Sequence, residues 1–505
     1  MSAAISSPAG GTRTAALRGH ALGAWWALAG LVVLAAALRF STLGLQSLWY
    51  DEAFTPVHTL HPSLTATLSA VAHTENSPPL WYLLEWAVSR VFGTGAIALR
   101  SLSALAGVAS VPVAWAIGRE LEGPSTRRVT AIAAGAFVAV NPLFVWYSQE
   151  ARVYALFVLT AALAILCFLR ALREPTPGRL TAFAVSGALA LLTHYFAVFL
   201  LAPMCLWLVL GHRAHRRVTL AAVAAVGAVG VALLPLIFAQ GGRGTQWIGR
   251  WPLGERLEAI PQYYLTGESG APLGHGVELL LALPVLGGLF FGLWRGLTRF
   301  EERQALIVLV LSACGVLIPV ALVIFGLDYL APRNLVAAMI PLTALLALVI
   351  AAQHTGRVGV ALAVVIAFAF LAMSVDVNLS PRLQRGDWRG VAEVLRGTPA
   401  NERVITTVEL GAAPLEYYLP PLHNLARGGA VTVSEIDETG YAPLRASAGS
   451  PPAPGFHLSS RYDVNGLIVY RFLSRSPRKI SEATLRRHVI TEAHPEVLVS
   501  PQAPL

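Results

Sequence analysis

Charged side chains are scarce in this chain of 505 residues. Asp, Glu, Lys and Arg together make up 13% of it, whereas soluble domains carry about 25%. Hydrophobic residues reach 55%, and the runs 21–38, 218–238, 307–325 and 358–373 contain no charged residue. A helix of roughly 20 such residues crosses a bilayer core. This composition excludes a cytosolic enzyme, a secreted enzyme and a nucleic-acid-binding protein, and it predicts a membrane protein with many spans.

Cysteine and lysine are scarce as well. Cys167, Cys205 and Cys314 each lie inside an apolar run, which is typical of small buried hydrophobic residues and predicts neither a disulfide framework nor redox chemistry. Lys479 is the only lysine, so arginine supplies nearly all of the positive charge. The sequence also lacks a glycine-rich phosphate loop and a dinucleotide fingerprint, so it predicts no nucleotide site.

Short basic segments separate the apolar runs and predict the topology. By the positive-inside rule, five of them are expected to face the cytoplasm: 119–128, 170–179, 212–217, 294–303 and 354–357. The alternation then requires about 11 crossings. The total becomes about 11 to 13 transmembrane helices if the stretch 78–92 crosses with a partner, instead of forming an interfacial helix.

An odd number of crossings places the C-terminus on the outer side of the membrane. The predicted organisation is a cytoplasmic tail at 1–20, a transmembrane domain at 21–375 with its first outer segment at 39–95, and a soluble extracytoplasmic domain at 376–505. Further outer segments are predicted at 147–152, 194, 239–275 and 326–333.

The C-terminal part of the chain has a different pattern from the rest. An amphipathic helix is predicted at 387–395, strands at 403–408 and 467–472, and a further helix at 414–419. This pattern predicts a small α/β domain with its own core. The domain either binds an acceptor or acts as a stabilising lid.

Asp51 and Glu52 form an acidic pair in the first outer segment. Two carboxylates among aromatic and apolar residues at a membrane surface are costly to desolvate, so they are usually paired or functional. The alternative is the first turn of an interfacial helix, where acidic residues are favourable. Glu75 is a further candidate in this segment, with a solvated loop acid as its alternative.

A second group of polar residues lies where predicted spans reach the outer side. Glu150, Arg152 and Tyr154 follow one span, and they either face the acidic pair or form only an interfacial ion pair. His194 lies in a turn too short to leave the interface, as a polar partner or as a structural histidine. Arg333 precedes a late span, where its guanidinium can bind phosphate bidentately or anchor the span to anionic headgroups.

In this order the motifs resemble those of the integral-membrane glycosyltransferases of the GT-C fold. The resemblance is to the group of the protein O-mannosyltransferases and aminoarabinose transferases, glycosyltransferase family 39. The matching positions are 48–53, 75–82, 148–154 and Arg333, and the similarity extends over 21–373. The resemblance implies a polytopic α-helical membrane protein of the GT-C fold.

The resemblance also implies a reaction. A sugar would pass from a polyprenyl-phosphate donor to a hydroxyl of a lipid, protein or polysaccharide acceptor, at the outer face of a bacterial plasma membrane and with inversion. Asp51 would be the general base, oriented by Glu52 or Glu150. Positioned hydrogen-bond donors would stabilise the departing phosphate. The expected donor-phosphate residues are Arg152, Tyr154, His194 and Arg333.

Some relatives have a His at the position of Ser77 that, with the nearby acid, looks able to hold a divalent metal ion. Because Ser is a poor ligand for a transition metal, this departure argues against a metal site through Glu75. The expected partners are therefore the sugar donor, the acceptor and membrane lipids, with no certain cofactor and no nucleic acid.

Two other functions compete with this one. A transporter or flippase of a lipid-linked sugar would place ionisable residues near the bilayer midplane, where the predicted spans have almost none. A catalytically inactive subunit that binds sugar lipids is the other alternative, and only the retained pair Asp51 and Glu52 argues against it.

Overall fold

The computed structural model describes residues 9–122, 128–242, 245–268, 274–397, 402–408, 411–419, 421–488, 490–491 and 495–500. The first eight residues of the predicted tail at 1–20 therefore lie outside the described residues, as do five residues of the basic segment 119–128.

Within the described residues the chain is mainly helical, with one β-sheet near its C-terminus. The helices are α1 Ala9–Phe40, α2 Tyr50–Phe54, α3 Leu64–Thr74, α4 Leu80–Phe92, α5 Ala96–Glu122, α6 Val129–Val140, α7 Pro142–Ser148, α8 Tyr154–Arg173, α9 Pro177–Thr193, α10 Ala197–Gly211, α11 Arg216–Gln240, α12 Gln246–Arg250, α13 Leu253–Thr266, α14 His275–Arg295, α15 Arg299–Ile324, α16 Met339–Ile350, α17 Gly356–Leu379, α18 Trp388–Leu395, α19 Ala412–Tyr418 and α20 Glu482–Arg487. The strands are β1 Arg403–Thr407, β2 His423–Asn424, β3 Ala430–Tyr441, β4 Phe456–Val464, β5 Leu467–Ser481 and β6 Glu496–Val499.

The helical part has the architecture of a multi-pass membrane protein. Among the described residues, eight helices are long and apolar enough to cross a bilayer, and α6 with α7, bent by 53°, form a ninth candidate. The predicted eleven to thirteen spans include α9 and α10, which have 17 and 15 residues and fall short of this length. The exact number of crossings stays a prediction. The predicted interfacial stretch 78–92 contains α4, whose 13 residues are too few to span.

The bend between α6 and α7 has a local cause. Pro142 lacks a backbone N–H, so the backbone hydrogen bonds of α6 cannot continue through it. It is the first residue of the next helix, a position that favours proline. Asn141 caps that helix, because its side-chain oxygen accepts a hydrogen bond from the backbone N–H of Leu143 at 3.0 Å. The Asn141 amide also donates to the carbonyl of Tyr264 at 2.9 Å, which fixes α13 beside the bend.

Arg39 replaces backbone hydrogen bonds that are missing at the end of α6. Its guanidinium is fully buried and donates to the carbonyls of Val138 at 3.0 Å and Ala139 at 2.8 Å, near the end of α6 where carbonyls lose their helical partners. The Nε atom donates to the hydroxyl of Ser148 at 3.0 Å. The end of α1 therefore positions the segment that carries Glu150 and Arg152.

The described residues form two compact units. The first comprises the chain up to Thr42, Val71–Val88 and Arg100–Asn378. The second comprises Leu43–Ala70, Ser89–Leu99 and the chain from Leu379 onwards. The second unit thus combines the C-terminal part of the chain with two pieces of the segment 39–95.

The sheet of the second unit has the strand order β2-β6-β1-β3-β5-β4. Strands β1 and β3 are parallel, and the other neighbours are antiparallel. Side chains alternate between two hydrophobic cores, since Val404 enters one and Ile405 enters the other beside α18 and α19. The predicted helices and strands of the α/β domain are confirmed, although β5 extends to Ser481.

Candidate active site

The helix α2 carries Asp51 and Glu52 in the second unit. Trp49 precedes it and packs against the hydrophobic core that contains Trp388. The backbone N–H of Leu48 donates to the hydroxyl of Tyr418 at 2.8 Å. These contacts hold α2 against α18 and α19, so the C-terminal part of the chain positions the predicted acidic pair.

Glu52 is fully buried, whereas Asp51 is half-buried. The Nε atom of Arg385 lies 4.0 Å from a carboxylate oxygen of Glu52. Arg385 is itself buried and donates from its side chain to the side-chain oxygen of Gln46 at 3.3 Å. The sequence analysis did not identify Arg385, which lies just before the amphipathic helix α18 and matches no motif.

Glu75 and Arg152 form an ion pair in the first unit. The two terminal nitrogens of Arg152 donate to the two carboxylate oxygens of Glu75, at 3.1 Å and 3.4 Å. The hydroxyl of Tyr82 donates to Glu75 Oε2 at 2.7 Å. Burial, together with the negative charge of Glu75, raises the pKa of Tyr82 well above its usual value, so the phenol keeps the proton that it donates.

These contacts bear on the metal site that the resemblance implies for some relatives. Both oxygens of Glu75 are engaged by Arg152, and one of them also by Tyr82. The residues that the structure describes include no group of three or more His, Cys, Asp or Glu side chains that could hold a metal ion. With Ser77 at the second ligand position, the residues present do not fit a metal site through Glu75.

Tyr154 and His194 lie next to each other in the first unit, with 6.3 Å between their ring centroids. The His194 ring also stacks on Phe157 at 4.6 Å. Burial, and the nearby charge of Arg333, lower the pKa of His194 to about 3, so the imidazole is neutral. Its Nδ1 atom accepts from the backbone N–H of Phe196 at 3.2 Å, which leaves Nε2–H as a hydrogen-bond donor.

Arg333 lies in the first turn of a 3₁₀-helix, Pro332–Ala338, that leads into α16. Its guanidinium carbon lies 4.9 Å from the ring centroid of Trp247 in α12, which is a cation–π contact. The loop before it is fixed by Arg256, which donates to the two carboxylate oxygens of Asp328 at 2.6 Å and 2.9 Å. These hydrogen bonds lower the pKa of Asp328 and hold the loop that precedes Arg333 in place.

Within its described residues, the predicted outer segment 239–275 includes the helices α12 and α13. Pro252 directly precedes α13 and is its N-cap residue. Trp247, on α12, was not identified from the sequence. The segment thereby supplies an aromatic partner for Arg333.

Glu150 is buried, and its backbone carbonyl accepts from the backbone N–H of Arg152 at 2.8 Å. The structure places six of the eight predicted site residues in the first unit. It pairs Glu75 with Arg152 and places Tyr154 beside His194, and the charge of Arg333 contributes to the lowered pKa of His194. The predicted residues of the second unit are Asp51 and Glu52.

Glu268 is a further acidic residue of the first unit that the sequence analysis missed. Its Oε2 atom accepts from the indole N–H of Trp146 at 3.2 Å and from the hydroxyl of Tyr147 at 2.9 Å. The Tyr147 ring lies 4.8 Å from the ring of Tyr154. No local pattern marks Glu268, because its partners lie more than 120 positions earlier in the chain.

The chemistry available in the first unit is recognition of an anion. Arg152 is oriented by a carboxylate and a phenol, Arg333 by an indole ring, and neutral His194 and Tyr154 add uncharged donors. Guanidinium groups that are held in place bind phosphate strongly and stabilise charge that develops on it.

Comparisons with known proteins show what the chain is similar to. Residues 76–238 match the family model of dolichyl-phosphate-mannose-protein mannosyltransferases. A comparison with curated proteins finds no match.

Among solved structures, ArnT from Cupriavidus metallidurans is similar in two states. The structure bound to undecaprenyl phosphate has a TM-score of 0.54 and 12% identity, over 87% of this chain and 97% of that one. The apo structure has a TM-score of 0.56 and 13% identity, over 89% of this chain and 98% of that one. The resemblance predicted from the motifs is thereby confirmed, and the chain has the fold of the GT-C glycosyltransferases.

Proposed function

We infer that this protein transfers a sugar from a polyprenyl-phosphate donor to an acceptor hydroxyl. The observation that carries this proposal is the ion pair that holds Arg152 and the cation–π contact that holds Arg333, on a fold shared with ArnT. One of the two ArnT structures is bound to undecaprenyl phosphate. Arginines that are fixed in this way suit the phosphate of such a lipid.

In the proposed reaction the acceptor oxygen forms a bond to the anomeric carbon as the bond from that carbon to the phosphate oxygen breaks. Asp51 accepts the proton of the acceptor hydroxyl. The electron pair of the broken bond leaves with the lipid phosphate, and Arg152 and Arg333 stabilise the added charge. Attack opposite the leaving group inverts the anomeric configuration.

The remaining predicted residues have supporting roles. Glu52 and Glu150 are proposed to orient the base, and Tyr154 and the Nε2–H of His194 to donate to the phosphate. No step is assigned to a metal ion, because Glu75 is engaged by Arg152 and Tyr82. We place the reaction at the outer face of a bacterial plasma membrane, with about eleven crossings, on the basis of the basic segments.

A transfer assay tests the proposal. Purified protein is given radiolabelled undecaprenyl phosphates that carry different hexoses and pentoses, with a membrane extract as acceptor. Wild type is expected to transfer one sugar, and Asp51→Asn is expected to lower the rate about 100- to 10,000-fold, because loss of a general base has that effect. Asp463→Asn is the matched control in the same unit, since an amide oxygen can replace the carboxylate that accepts from Gly466.

Two outcomes would contradict the proposal. Near-normal transfer by Asp51→Asn would remove the assignment of the base. No transfer by wild type, together with movement of the labelled lipid across proteoliposomes, would favour the transporter or flippase instead.

A further inference from the structure

The hydrogen bonds that described residues donate to Glu268 all go to one carboxylate oxygen, so the other can accept from a ligand. Trp146 and Tyr147 both donate to Oε2, at 3.2 Å and 2.9 Å. Within the described residues, the other oxygen, Oε1, receives no hydrogen bond from the protein. Glu268 as a whole is only partly buried, which is compatible with a ligand at Oε1.

The surroundings of Glu268 are aromatic. Besides its two donors, Tyr263 lies close enough for the charge of Glu268 to add to the effect of burial, and the pKa of Tyr263 is raised. A carboxylate that accepts hydrogen bonds, set among flat apolar rings, is complementary to a saccharide, which presents hydroxyls at its edge and C–H groups on its face.

The same residues connect Glu268 to the arginines and His194. Tyr147 donates to Glu268 and lies 4.8 Å, between ring centroids, from Tyr154. Tyr154 in turn lies 6.3 Å from His194, on which the charge of Arg333 acts. Ring contacts through Tyr147 thus link Glu268 to Tyr154 and His194, two of the residues assigned to the phosphate.

We propose that Glu268, held by Trp146 and Tyr147, is a specificity-determining residue that accepts hydrogen bonds from the hydroxyls of a saccharide substrate. This inference rests on the proposed function and deepens it. The ligand chemistry is a polyol beside a phosphate, and its source is either the sugar of the donor lipid or a saccharide of the acceptor.

Equilibrium binding gives the first test, because it does not depend on turnover. Wild type and Glu268→Gln are titrated with bare undecaprenyl phosphate and with the same lipid carrying each sugar of the panel. For a donor-side site, wild type binds one sugar-bearing lipid about 10- to 100-fold more tightly than Glu268→Gln does, the range for a hydrogen bond to a charged group. Both proteins are expected to bind the bare lipid phosphate equally.

Transfer kinetics separate the two sources. With saturating acceptor, a rise in KM for the donor, and little change in kcat, assigns Glu268 to the donor sugar. With saturating donor, a rise in KM for the acceptor assigns it to the acceptor saccharide. Deoxy analogues of the favoured substrate sharpen this test, since wild type rejects the analogue that lacks the recognised hydroxyl and Glu268→Gln no longer discriminates.

Two further variants test whether the effect of Glu268→Gln is only structural. Glu278→Gln alters a carboxylate of the same unit that is bonded to Gln262, and it is expected to behave as wild type. Tyr147→Phe removes one donor to Glu268 but leaves the carboxylate, so it should shift the same KM by a smaller factor.

The outcomes distinguish this inference from the function on which it rests. If wild type transfers sugar and Glu268→Gln keeps all binding constants and KM values, the inference is wrong and the function stands. If Glu268→Gln weakens the binding of bare undecaprenyl phosphate as much as the binding of the sugar-bearing lipid, Glu268 supports the phosphate site and the inference is again wrong. Absence of transfer by wild type contradicts the proposed function, while the binding titration still decides whether Glu268 recognises the sugar.

Discussion

Arg152 is oriented before any ligand binds. Its guanidinium contacts both oxygens of Glu75, and Tyr82 donates to the same carboxylate. Both members of the ion pair are largely buried, with exposed side-chain fractions of 14% and 3%. Removing one member of such a pair leaves a buried charge without its counter-ion, which costs about 3–5 kcal/mol. The pair therefore restricts Arg152 to one direction, as a phosphate ligand requires.

A double-mutant cycle tests this pair. Glu75→Gln and Arg152→Gln are each expected to lower the free energy of unfolding by about 3–5 kcal/mol, since each leaves one buried charge behind. In the double variant the free energy of unfolding is expected to fall by less than the sum of the two single effects, because neither charge remains. Thermal unfolding of the purified proteins in detergent gives the three differences.

The same measurement with EDTA and with added Mn²⁺ serves as the control. If Glu75 instead held a metal ion, chelation would lower the melting temperature of wild type, and the two single effects would add. Either result would contradict the assignment of Glu75 as the partner of Arg152.

The site residues could be predicted only in part, for a physical reason. Glu75 and Arg152 each lie in a motif, so the sequence identified both. Their mutual contact joins positions 77 apart and depends on the packing of the helices, which no local pattern contains. Glu268 has no motif at all, and its role follows from two donors on a distant helix.

At the scale of the elements, one glycine decides how closely two helices pack. A Cβ atom at Gly107 in α5 would overlap the hydroxyl of Ser148 and would lie 2.8 Å from Arg39 Nε. These two side chains are hydrogen-bonded to each other. Close helix packing in membranes relies on such small residues.

Gly107→Ala is expected to destabilise the protein by about 1–3 kcal/mol, because overpacking a dense interior has that cost. It should also lower transfer, since it displaces Ser148 next to the segment of Glu150 and Arg152. Thermal unfolding and the transfer assay measure the two effects.

Gly227→Ala is the matched control in α11. No atom lies within 4 Å of a Cβ built there, and alanine favours a helix over glycine by about 1 kcal/mol. We expect Gly227→Ala to be neutral or stabilising. If Gly107→Ala and Gly227→Ala lower stability and transfer equally, the contact with Ser148 has no special role.

The long apolar helices and the short elements of the α/β domain were predictable, because hydrophobic periodicity reports them directly. The strands β3 and β4 were not, since the burial of β4 is irregular and β3 contains acidic residues such as Asp437. Asp437 is tolerated in the sheet because Arg471 donates to it at 3.0 Å. Such a cross-strand partner is visible only in the folded chain.

At the scale of the whole molecule, the order of the motifs was enough to predict the GT-C fold. The division into two units was not predictable from the same information. The hydroxyl of Ser47 donates to the carbonyl of Gly386 at 2.9 Å, and these residues are 339 positions apart. Contacts of this range assign Leu43–Ala70 to the unit of the C-terminal sheet.

The short helices α9 and α10 extend over most of the length of α8, and this decides how many crossings we expect. His194, between them, stacks on Phe157 near the start of α8. Phe183 of α9 and Trp207 of α10 lie 6.3 Å and 6.4 Å from Phe168 near its end. Because α8 is itself a candidate span, α9 and α10 are expected to cross as well, and with the bent pair α6–α7 they bring the eight candidates to eleven.

Eleven crossings put residues 174 and 329 on opposite sides of the membrane, with the C-terminal sheet on the side of 329. In a cysteine-free background, we expect Tyr329→Cys and His457→Cys to react with a membrane-impermeant maleimide on intact spheroplasts. Glu174→Cys, in the turn between α8 and α9, should react only after permeabilisation, since the basic residues around it favour the cytoplasm. Labelling of His457→Cys together with Glu174→Cys would mean an even number of crossings between these two positions, instead of the expected seven. Labelling of Glu174→Cys alone on intact spheroplasts would mean the inverse orientation, which would place Arg333 and Arg152 in the cytoplasmic half and contradict transfer at the outer face.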